Sequence, residues 1–489
     1  MHIHSDIGII HGVAMEAIVL YPSPGMGHLG SMVELGKLIL THHPSFTINI
    51  LLTTAPYFTG STAEYIADIS ATAPSIIFHH LPSISLPLEP ASYSSAEALM
   101  FDLIRLNNLH VHSALQSIST SSTIHAFVID LFCAAALDVA IKLDVPIYHF
   151  FTSGASCLAL FLYLPEIARN TIKSFKDLET TVSLPCLPPI PLSHMPVPIL
   201  ERGTVEYVGV IDCMAKLAKS AGIIANTFES LEPKAVKALA DGVCVPDGPT
   251  PPVFCIGPLI ATNRQTGGDR DDKVPECLTW LDKQPSGSVV FLCFGSTGLL
   301  SKEQLREIAT GLEKSSQRFL WIVRNPPSED KSQSFLARSD PDLKFLLPDG
   351  FLDRTKDRGL VVKLWAPQVA VLNHDSIGGF VTHCGWNSVL ESLCAGKPMV
   401  AWPLYAEQKI NKALLVEEFK LSLPINESEN GIVRADEVEK RVRELMESEK
   451  GNSVRQRIVA ERNEAMKAMG EGGTSRVALA KLVELSKKV

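Results

Sequence analysis

Short apolar runs alternate with amphipathic stretches along almost the whole chain. The runs are rich in β-branched and aromatic residues and end at turn-forming residues, as buried strands do. Because helical patterns separate them, we expect an α/β fold with parallel sheets. The predicted strands lie at 17–21, 47–53, 76–81, 126–130, 146–151 and 221–225 in the first half, and at 289–295, 319–323, 360–364, 378–383 and 398–402 in the second.

The length of the chain predicts two domains, because 489 residues exceed one ordinary hydrophobic core. A stretch rich in Pro, Gly, Asp and Thr at 246–273 breaks the alternation and is the candidate linker. Doubly wound domains bind ligands at the carboxyl ends of their strands, so we expect the site in the cleft between them. The expected order is a disordered extension, a first domain, a linker, a second domain and terminal helices, at 1–14, 15–250, 251–275, 276–462 and 463–489.

The composition excludes several classes of partner. A formal net charge of −9 argues against nucleic acid, whose backbone is bound by clustered Lys and Arg. No apolar run reaches the roughly 18 residues of a membrane span, and the first residues lack a signal-peptide pattern. The 10 cysteines have no C-x-x-C spacing, which favours reduced thiols and a cytoplasmic protein. Without an H-E-x-x-H motif or a Cys/His cluster, we expect no metal.

A helix start after the predicted strand 378–383 has the features of a phosphate site. The strand ends in His383, whose ring can donate to a phosphate oxygen. The next residues open a helix, whose free N–H groups and dipole suit a pyrophosphate. Gly385 permits a close backbone approach, and Asn387 and Ser388 can add hydrogen bonds. Ser388 and Glu391 also fit a purely structural capping box, and in isolation the two interpretations are equally good.

Four further side chains flank this helix start in sequence. Trp365 follows the strand 360–364 and could stack on a flat base, with Gln368 nearby, although a lone Trp after a strand more often packs in a core. Glu407 and Gln408 follow the strand 398–402, and an adjacent carboxylate and amide suit the vicinal hydroxyls of a hexose. The alternative for this pair is an ordinary solvated helix start.

A candidate base lies in the other half. His28 opens a helix after the first strand, and imidazole is the side chain best tuned for proton transfer near neutral pH. Asp130 ends the strand 126–130 on the same edge of the expected sheet, where it could orient the ring. Two alternatives remain for these residues. The glycines around His28 have the bare G-x-G-x-x-G spacing of a dinucleotide loop, and Asp130 could simply cap the next helix.

The loops that would bind a second ligand beside His28 have a less specific sequence pattern. We expect them after Asp130 and at the end of the strand 146–151, together with the apolar, Pro-rich stretch 185–205. Such loops are compatible with a flat aromatic guest. The candidate pocket residues are Phe132, Phe151, Thr152 and Ser153.

Residues 365–408, together with FGS at 294–296 and CLTWLDKQP at 277–285, resemble plant small-molecule UDP-glycosyltransferases of family 1, in the flavonoid and phenol glucosyltransferase branch. The resemblance implies the GT-B fold, two Rossmann-like domains whose parallel sheets face an interdomain cleft, with the last helices returning to the first domain. It implies donor contacts to uracil for Trp365, to the ribose for Gln368 and Glu391, to the phosphates for Ser296, His383, Asn387 and Ser388, and to the sugar for Trp386, Glu407 and Gln408, with Ala366 and Gly385 completing the site.

The resulting hypothesis is inverting transfer of glucose from UDP-glucose to a small, flavonoid-like phenol, with His28 as base and Asp130 as its partner. Gln408 and Trp386 favour glucose by the same resemblance. UDP-glucose would be a co-substrate, with no cofactor and no metal, and the chain would act as a monomer. Two alternatives on the same fold stay open at this point, namely a UDP-sugar epimerase and a UDP-sugar-binding protein without catalysis.

Overall fold

The computed structural model of the protein describes residues 15–54, 62–89, 92–261, 274–327 and 339–487. The expected disordered extension at 1–14 lies outside these residues. Within them the chain forms two parallel sheets of seven and six strands, each flanked by helices. The α/β architecture predicted from the alternating pattern is therefore confirmed.

The first sheet is entirely parallel, with strand order β3-β2-β1-β4-β5-β8-β9. Strand order reverses beside β1, and β1 and β4 leave the sheet at the same edge. A short antiparallel pair, β6 and β7, lies outside it. The strands are β1 (Met15–Tyr21), β2 (Phe46–Leu52), β3 (Ile76–His80), β4 (Ser122–Asp130), β5 (Ile147–Phe151), β6 (Thr181–Val182), β7 (Ile190–Pro191), β8 (Gly222–Ala225) and β9 (Val253–Cys255).

Eight α-helices accompany these strands in the described part of the first half. Their apolar faces pack on both sides of the sheet and form its core. They are α1 (Met26–His42), α2 (Ala63–Thr72), α3 (Ala96–Leu106), α4 (Asn108–Ser119), α5 (Leu137–Lys142), α6 (Ala155–Asn170), α7 (Val205–Leu217) and α8 (Pro233–Ala240).

The second sheet is also parallel, with strand order β12-β11-β10-β13-β14-β15. Its strands are β10 (Val289–Cys293), β11 (Arg318–Val323), β12 (Gly359–Lys363), β13 (Ile377–Thr382), β14 (Met399–Ala401) and β15 (Ser422–Pro424). The helices of this half are α9 (Glu276–Leu281), α10 (Lys302–Ser315), α11 (Leu343–Leu346), α12 (Phe351–Thr355), α13 (Gln368–Asn373), α14 (Trp386–Ala395), α15 (Gln408–Ala413), α16 (Ala435–Glu447), α17 (Glu449–Met469) and α18 (Thr474–Ser486).

The start of the expected linker needs a correction. Strand β9 lies inside the range 251–275, yet it pairs with β8 as the edge strand of the first sheet, with Val253 opposite Ile223. The prolines before β9 broke the apolar pattern, but an edge strand tolerates such neighbours. Most of the remaining linker lies outside the described residues. The other domain boundaries stay predictions.

The last helix, α18, packs on the first half of the chain. Leu479 and Leu482 are buried in the same cluster as residues of β1 and α1. The hydroxyl of Ser475 donates to the carbonyl of Gly257 at 2.6 Å, and Nζ of Lys487 lies 2.7 Å from the Glu16 carboxylate. These contacts hold the end of the chain against the first sheet and so join the two halves behind the cleft.

No helix in the part of the chain that the structure describes is long and apolar enough to cross a membrane. All 10 cysteines lie within the described residues, and none of them forms a disulfide. Nine are buried, and burial raises the pKa of thiols such as Cys293 and Cys384. They therefore behave as small apolar core residues.

Candidate active site

Two neighbouring strands bring His28 and Asp130 together. His28 lies in the first turn of α1, directly after β1, and Asp130 is the last residue of β4. The strands are adjacent, with Tyr21 opposite Ile129. Nδ1 of His28 lies 2.8 Å from Oδ2 of Asp130. The turn before α1 passes through Gly25 at a φ of 123°, a conformation that glycine adopts without strain.

Asp130 is a buried carboxylate, and both of its oxygens have hydrogen-bond partners. The hydroxyl of Ser23 donates to its Oδ1 at 2.6 Å, and the backbone N–H of Phe132 donates to the same oxygen at 3.2 Å. Burial alone would raise the pKa of Asp130, but the facing His28 and these two donors hold that pKa below its usual value. Asp130 therefore stays ionised and fixes the orientation of the imidazole.

His28 is the more open member of the pair, with 31% of its side chain exposed against 1% for Asp130. Burial on its own would lower the pKa of His28, but the Asp130 carboxylate outweighs it and the pKa is raised, with Glu407 across the cleft adding in the same direction. The ring of Phe132 meets the imidazole edge-on at a centroid distance of 6.0 Å. With Nδ1 engaged by Asp130, Nε2 is the nitrogen that can receive a proton from a ligand.

On the other side of the cleft, His383 follows β13 and stands before α14. Its Nδ1 is buried and has no hydrogen-bond partner among the described residues. Burial lowers the pKa of His383 to about 4, with the positive charge of Arg324 adding to the effect, so the ring is neutral near pH 7. A Cβ at Gly295 would lie only 2.4 Å from Nε2 of His383, which explains the glycine of the FGS motif.

The first turn of α14 presents polar groups to the cleft. Gly385 is the N-cap, and its missing side chain leaves the first N–H groups of the helix uncapped by any side chain. The amide of Asn387 donates to Ser31 of α1 at 3.2 Å, and its Oδ1 is buried without a protein partner in the described part of the chain. The uncapped N–H groups of this helix start are the donors that favour an anion here.

Gln368 links α13 to the same helix. Its Nε2 donates to the hydroxyl of Ser388 at 2.8 Å and to Oε2 of Glu391 at 2.6 Å. Ser388 does not cap α14, whose N-cap is Gly385, and three of the residues predicted to bind the nucleotide form one connected group. The expected ribose contacts, Gln368 and Glu391, are brought within hydrogen-bond distance of each other.

Two further residues were predicted to bind the donor, Trp365 at the uracil ring and Ser296 at the phosphates. Trp365 follows β12 and is 39% exposed, which leaves part of its indole surface available for stacking. Ala366 beside it is buried. Ser296 is exposed directly after Gly295, whose φ is 75°.

Glu407 and Gln408 stand at the start of α15. The side-chain oxygen of Gln408 accepts the backbone N–H groups of Leu404 and Tyr405 at 2.8 and 2.9 Å, which shapes the loop after β14. Oε1 of Glu407 accepts hydrogen bonds from the hydroxyl of Ser153 in the first half of the chain and from the amide of Asn411, both at 3.3 Å. The carboxylate thus reaches across the cleft.

Trp386 requires a correction. Its indole N–H donates to the backbone carbonyl of Asn226 at 2.7 Å, and the side chain is 3% exposed. A Cβ at Gly154 would lie 2.8 Å from Cζ2 of the same ring. The indole is enclosed by the first half of the chain and is not available to face a sugar, so its function here is to hold the two domains together.

The four residues predicted to line the acceptor pocket have different surroundings in the structure. Phe132 stands beside His28 and packs edge-on against Phe101 at 6.2 Å. Phe151 is 3% exposed and its ring packs on Phe161 at 5.6 Å, so its assignment to a pocket is wrong: it is a core residue. Thr152 is half-buried, and Ser153 contacts Glu407.

Comparison with known proteins identifies the family of this chain. The family described as UDP-glucoronosyl and UDP-glucosyl transferases matches residues 263–455. The chain is similar to UDP-glycosyltransferase 88B1 of Stevia rebaudiana, with 52% identity over 467 residues, which cover 96% of this chain and 98% of that protein. The chain belongs to the plant UDP-glycosyltransferase family.

Two further similarities cover nearly the full length of this UDP-glycosyltransferase. Anthocyanidin 5,3-O-glucosyltransferase of a Rosa hybrid cultivar is 50% identical over 487 residues, 97% of this chain and 99% of that protein. The structure of Phytolacca americana UGT2 complexed with UDP-2-fluoro-glucose and pterostilbene superposes with a TM-score of 0.84 at 35% identity, covering 97% of this chain and 99% of that one. The predicted family and the GT-B fold are confirmed.

Several residues of the glycosyltransferase site were missed by sequence reasoning. Ser23 lies in the turn before α1 and Ser31 lies on α1, close to His28 in sequence. Nothing in the neighbouring sequence indicates a hydrogen-bond partner for either hydroxyl. Asn226, Glu232 and Arg324 follow strands or begin helices, as site residues of this fold do, and that position was the one signal that could have found them.

Proposed function

We propose that this glycosyltransferase transfers glucose from UDP-glucose to a hydroxyl group of a small phenol, with inversion at the anomeric carbon. The observation that carries the proposal is the His28–Asp130 pair at 2.8 Å, which faces the uncapped start of α14 across the cleft. One domain would hold the leaving group while the other supplies the base.

In the proposed reaction Nε2 of His28 takes the proton of the acceptor hydroxyl. The oxygen forms a bond to C1 of glucose as the bond from C1 to the phosphate oxygen breaks, and the electron pair leaves with UDP. The ionised, buried Asp130 stabilises the imidazolium that forms. A phenol suits this base because its hydroxyl, with a pKa of about 10, ionises more readily than an alcohol.

The departing UDP gains negative charge on its β-phosphate. The N–H groups at the start of α14, the neutral ring of His383 and the side chains of Asn387 and Ser388 are the donors that would stabilise it. The supporting features are the buried Nδ1 of His383, which has no hydrogen-bond partner in the described part of the chain, and the N–H groups of α14 that no side chain caps.

Glucose is the proposed sugar, and a flavonoid-like phenol the proposed acceptor. Glu407 accepts a hydrogen bond from Ser153 across the cleft and is the residue we expect to meet the hexose, with Gln408 next to it in sequence. The relatives support both choices, because one is an anthocyanidin glucosyltransferase and a structural neighbour holds UDP-2-fluoro-glucose and pterostilbene. One chain supplies every proposed site residue, so a monomer is sufficient, and its free thiols suit the cytoplasm.

The experiment that tests this function incubates the purified chain with UDP-glucose and a panel of phenols. We expect release of UDP and a product heavier by one hexose, with an O-linked sugar by NMR. A chain that converts UDP-glucose without any acceptor would be an epimerase. A chain that binds the donor and releases no UDP with any phenol would be a binding protein.

A further inference from the structure

A buried carboxylate outside the reaction scheme holds the part of the first domain that faces the donor. Glu232 is 2% exposed and stands directly before α8, but its side chain does not cap that helix. It crosses instead to the start of α6. Oε2 accepts the backbone N–H of Ala155 and Oε1 that of Ser156, both at 2.8 Å.

The same carboxylate holds a second segment. The hydroxyl of Thr227 donates to Oε2 of Glu232 at 2.5 Å. Thr227 follows β8, and α6 follows β5, which is the neighbouring strand, with Phe151 opposite Ala225. Glu232 therefore fixes two adjacent loops at the carboxyl edge of the first sheet, at 152–154 and at 226–227.

Both of these loops contact the donor domain. From the first, the hydroxyl of Ser153 donates to Glu407 at 3.3 Å. From the second, the carbonyl of Asn226 accepts the indole N–H of Trp386 at 2.7 Å. The remaining cross-cleft hydrogen bond described above, from Asn387 to Ser31, involves neither loop.

Gly154 shows why the helix is capped from a distance. A Cβ at this position would lie 2.7 Å from Oε2 of Glu232 and 2.8 Å from Cζ2 of Trp386. A Ser, Thr or Asp, the usual caps, would collide with the indole. The remote carboxylate supplies the cap and leaves the space that Trp386 occupies.

We propose that Glu232 is a positioning residue for the sugar end of the donor site. By holding the loops 152–154 and 226–227, it sets the distance of Ser153 from Glu407 and docks Trp386. The inference rests on the proposed function, because it assigns the neighbourhood of Glu407 to glucose. Glu232 contacts none of the groups proposed for uridine and phosphate directly, so its loss should weaken binding of UDP-glucose much more than binding of UDP.

The test uses the full chain with Glu232→Gln, which keeps the shape but turns one accepting oxygen into an NH₂ group facing a donor. Kd for UDP and for UDP-glucose is measured by calorimetry, and KM for UDP-glucose by turnover with a phenol. We expect KM and Kd for UDP-glucose to rise about fivefold or more, because a hydrogen-bonded charged group is lost, while Kd for UDP stays within about twofold.

Glu206→Gln is the matched control. Glu206 is also a buried carboxylate of the first half, and it accepts the hydroxyls of Ser94 and Ser95 at 2.5 and 2.7 Å, but these contacts stay within its own domain. We expect it to leave the ratio of the two dissociation constants unchanged. An equal change for UDP and UDP-glucose in Glu232→Gln, or the same ratio in both variants, would overturn the proposal.

Gly154→Ala keeps the test decisive if Glu232→Gln does not fold. Its methyl group intrudes between the carboxylate and Trp386 and leaves Glu232 intact, and we expect the same selective loss of UDP-glucose. Unchanged UDP-glucose affinity in Gly154→Ala would contradict the proposal. Failure of the wild-type chain to transfer glucose would instead contradict the proposed function, so the two failures are distinguishable.

Discussion

The two sides of the cleft are built in different ways. The donor region, residues 365–408, is almost continuous in sequence, and Gln368, Ser388 and Glu391 already hydrogen-bond to one another. The base region joins His28 to Asp130, which are 102 positions apart, by the pairing of β1 with β4. The donor site is therefore built from residues close together in sequence, whereas the His28–Asp130 pair forms only when the first sheet folds.

This difference predicts that the two functions can be lost separately. Substitutions in the donor region should change the affinity for the nucleotide, and substitutions at His28 or Asp130 should change the rate of proton transfer. The two regions meet through the hydrogen bonds from Ser153 to Glu407, from Asn387 to Ser31 and from Trp386 to Asn226. Substitutions on either side, and at these contacts, test the separation.

The largest effect is expected from His28→Ala. The base is removed, so kcat with a phenol should fall by about 10²–10⁴-fold, while Kd for UDP by calorimetry should not change. His80→Ala removes an exposed histidine at the end of β3 and should leave both quantities unchanged. Normal turnover in His28→Ala would show that His28 is not the catalytic base.

Asp130→Asn should lower kcat on the order of 10²-fold and also change the pH profile. The Asp130 carboxylate raises the pKa of His28, so in the wild type the base is protonated and lost as pH falls through a pKa above the ordinary value of histidine. Without the charge this pKa falls, and the acidic limb should move to lower pH. Asp138→Asn, an exposed carboxylate on α5, is the control, and an unmoved limb in Asp130→Asn would contradict the coupling.

Trp365→Ala addresses the donor side and should give the opposite pattern. Loss of stacking of about 1–3 kcal/mol should weaken UDP binding about fivefold or more, with a smaller change in kcat at saturating donor. Trp365→Phe keeps an aromatic ring and should retain most of the affinity. Equal UDP affinity in the wild type and in Trp365→Ala would show that the exposed indole does not stack on uracil.

The smallest effect is expected from Ser31→Ala, which removes a hydrogen bond across the cleft. Its net contribution is of the order of 1 kcal/mol and a bound phosphate can replace it, so Kd for UDP should change by no more than about threefold. Thr41→Ala, on the same helix, loses only its bond to the carbonyl of Lys37 and controls for helix stability. A loss comparable to that of Trp365→Ala would mean that the donor region is not self-contained.

The sequence predicts most of the fold because long apolar runs make long strands. Strands β9 and β15 were missed since each has only three residues and either follows prolines or ends in one, whereas the equally short β14 lies within the apolar run 398–402. The proximity of His28 and Asp130 was predictable, since both residues stand at the same end of parallel strands.

The cross-cleft contacts were not predictable from local patterns. The indole of Trp386 bonds to Asn226, 160 positions away, and Glu232 caps a helix that begins 77 positions earlier. Phe151 was assigned to a pocket from its place at a strand end, but β5 is buried on both faces and the ring of Phe151 packs on Phe161. Which face a residue takes depends on packing that the sequence alone does not show.

The central claim is that an oxygen activated at His28 attacks glucose from the face opposite to UDP held at α14. The configuration of the product tests it most directly. UDP-glucose carries an α bond at the anomeric carbon, so the account predicts a β-glucoside, identified from the coupling of the anomeric proton by NMR during the wild-type reaction. An α-glucoside as the first product would contradict direct displacement across the cleft.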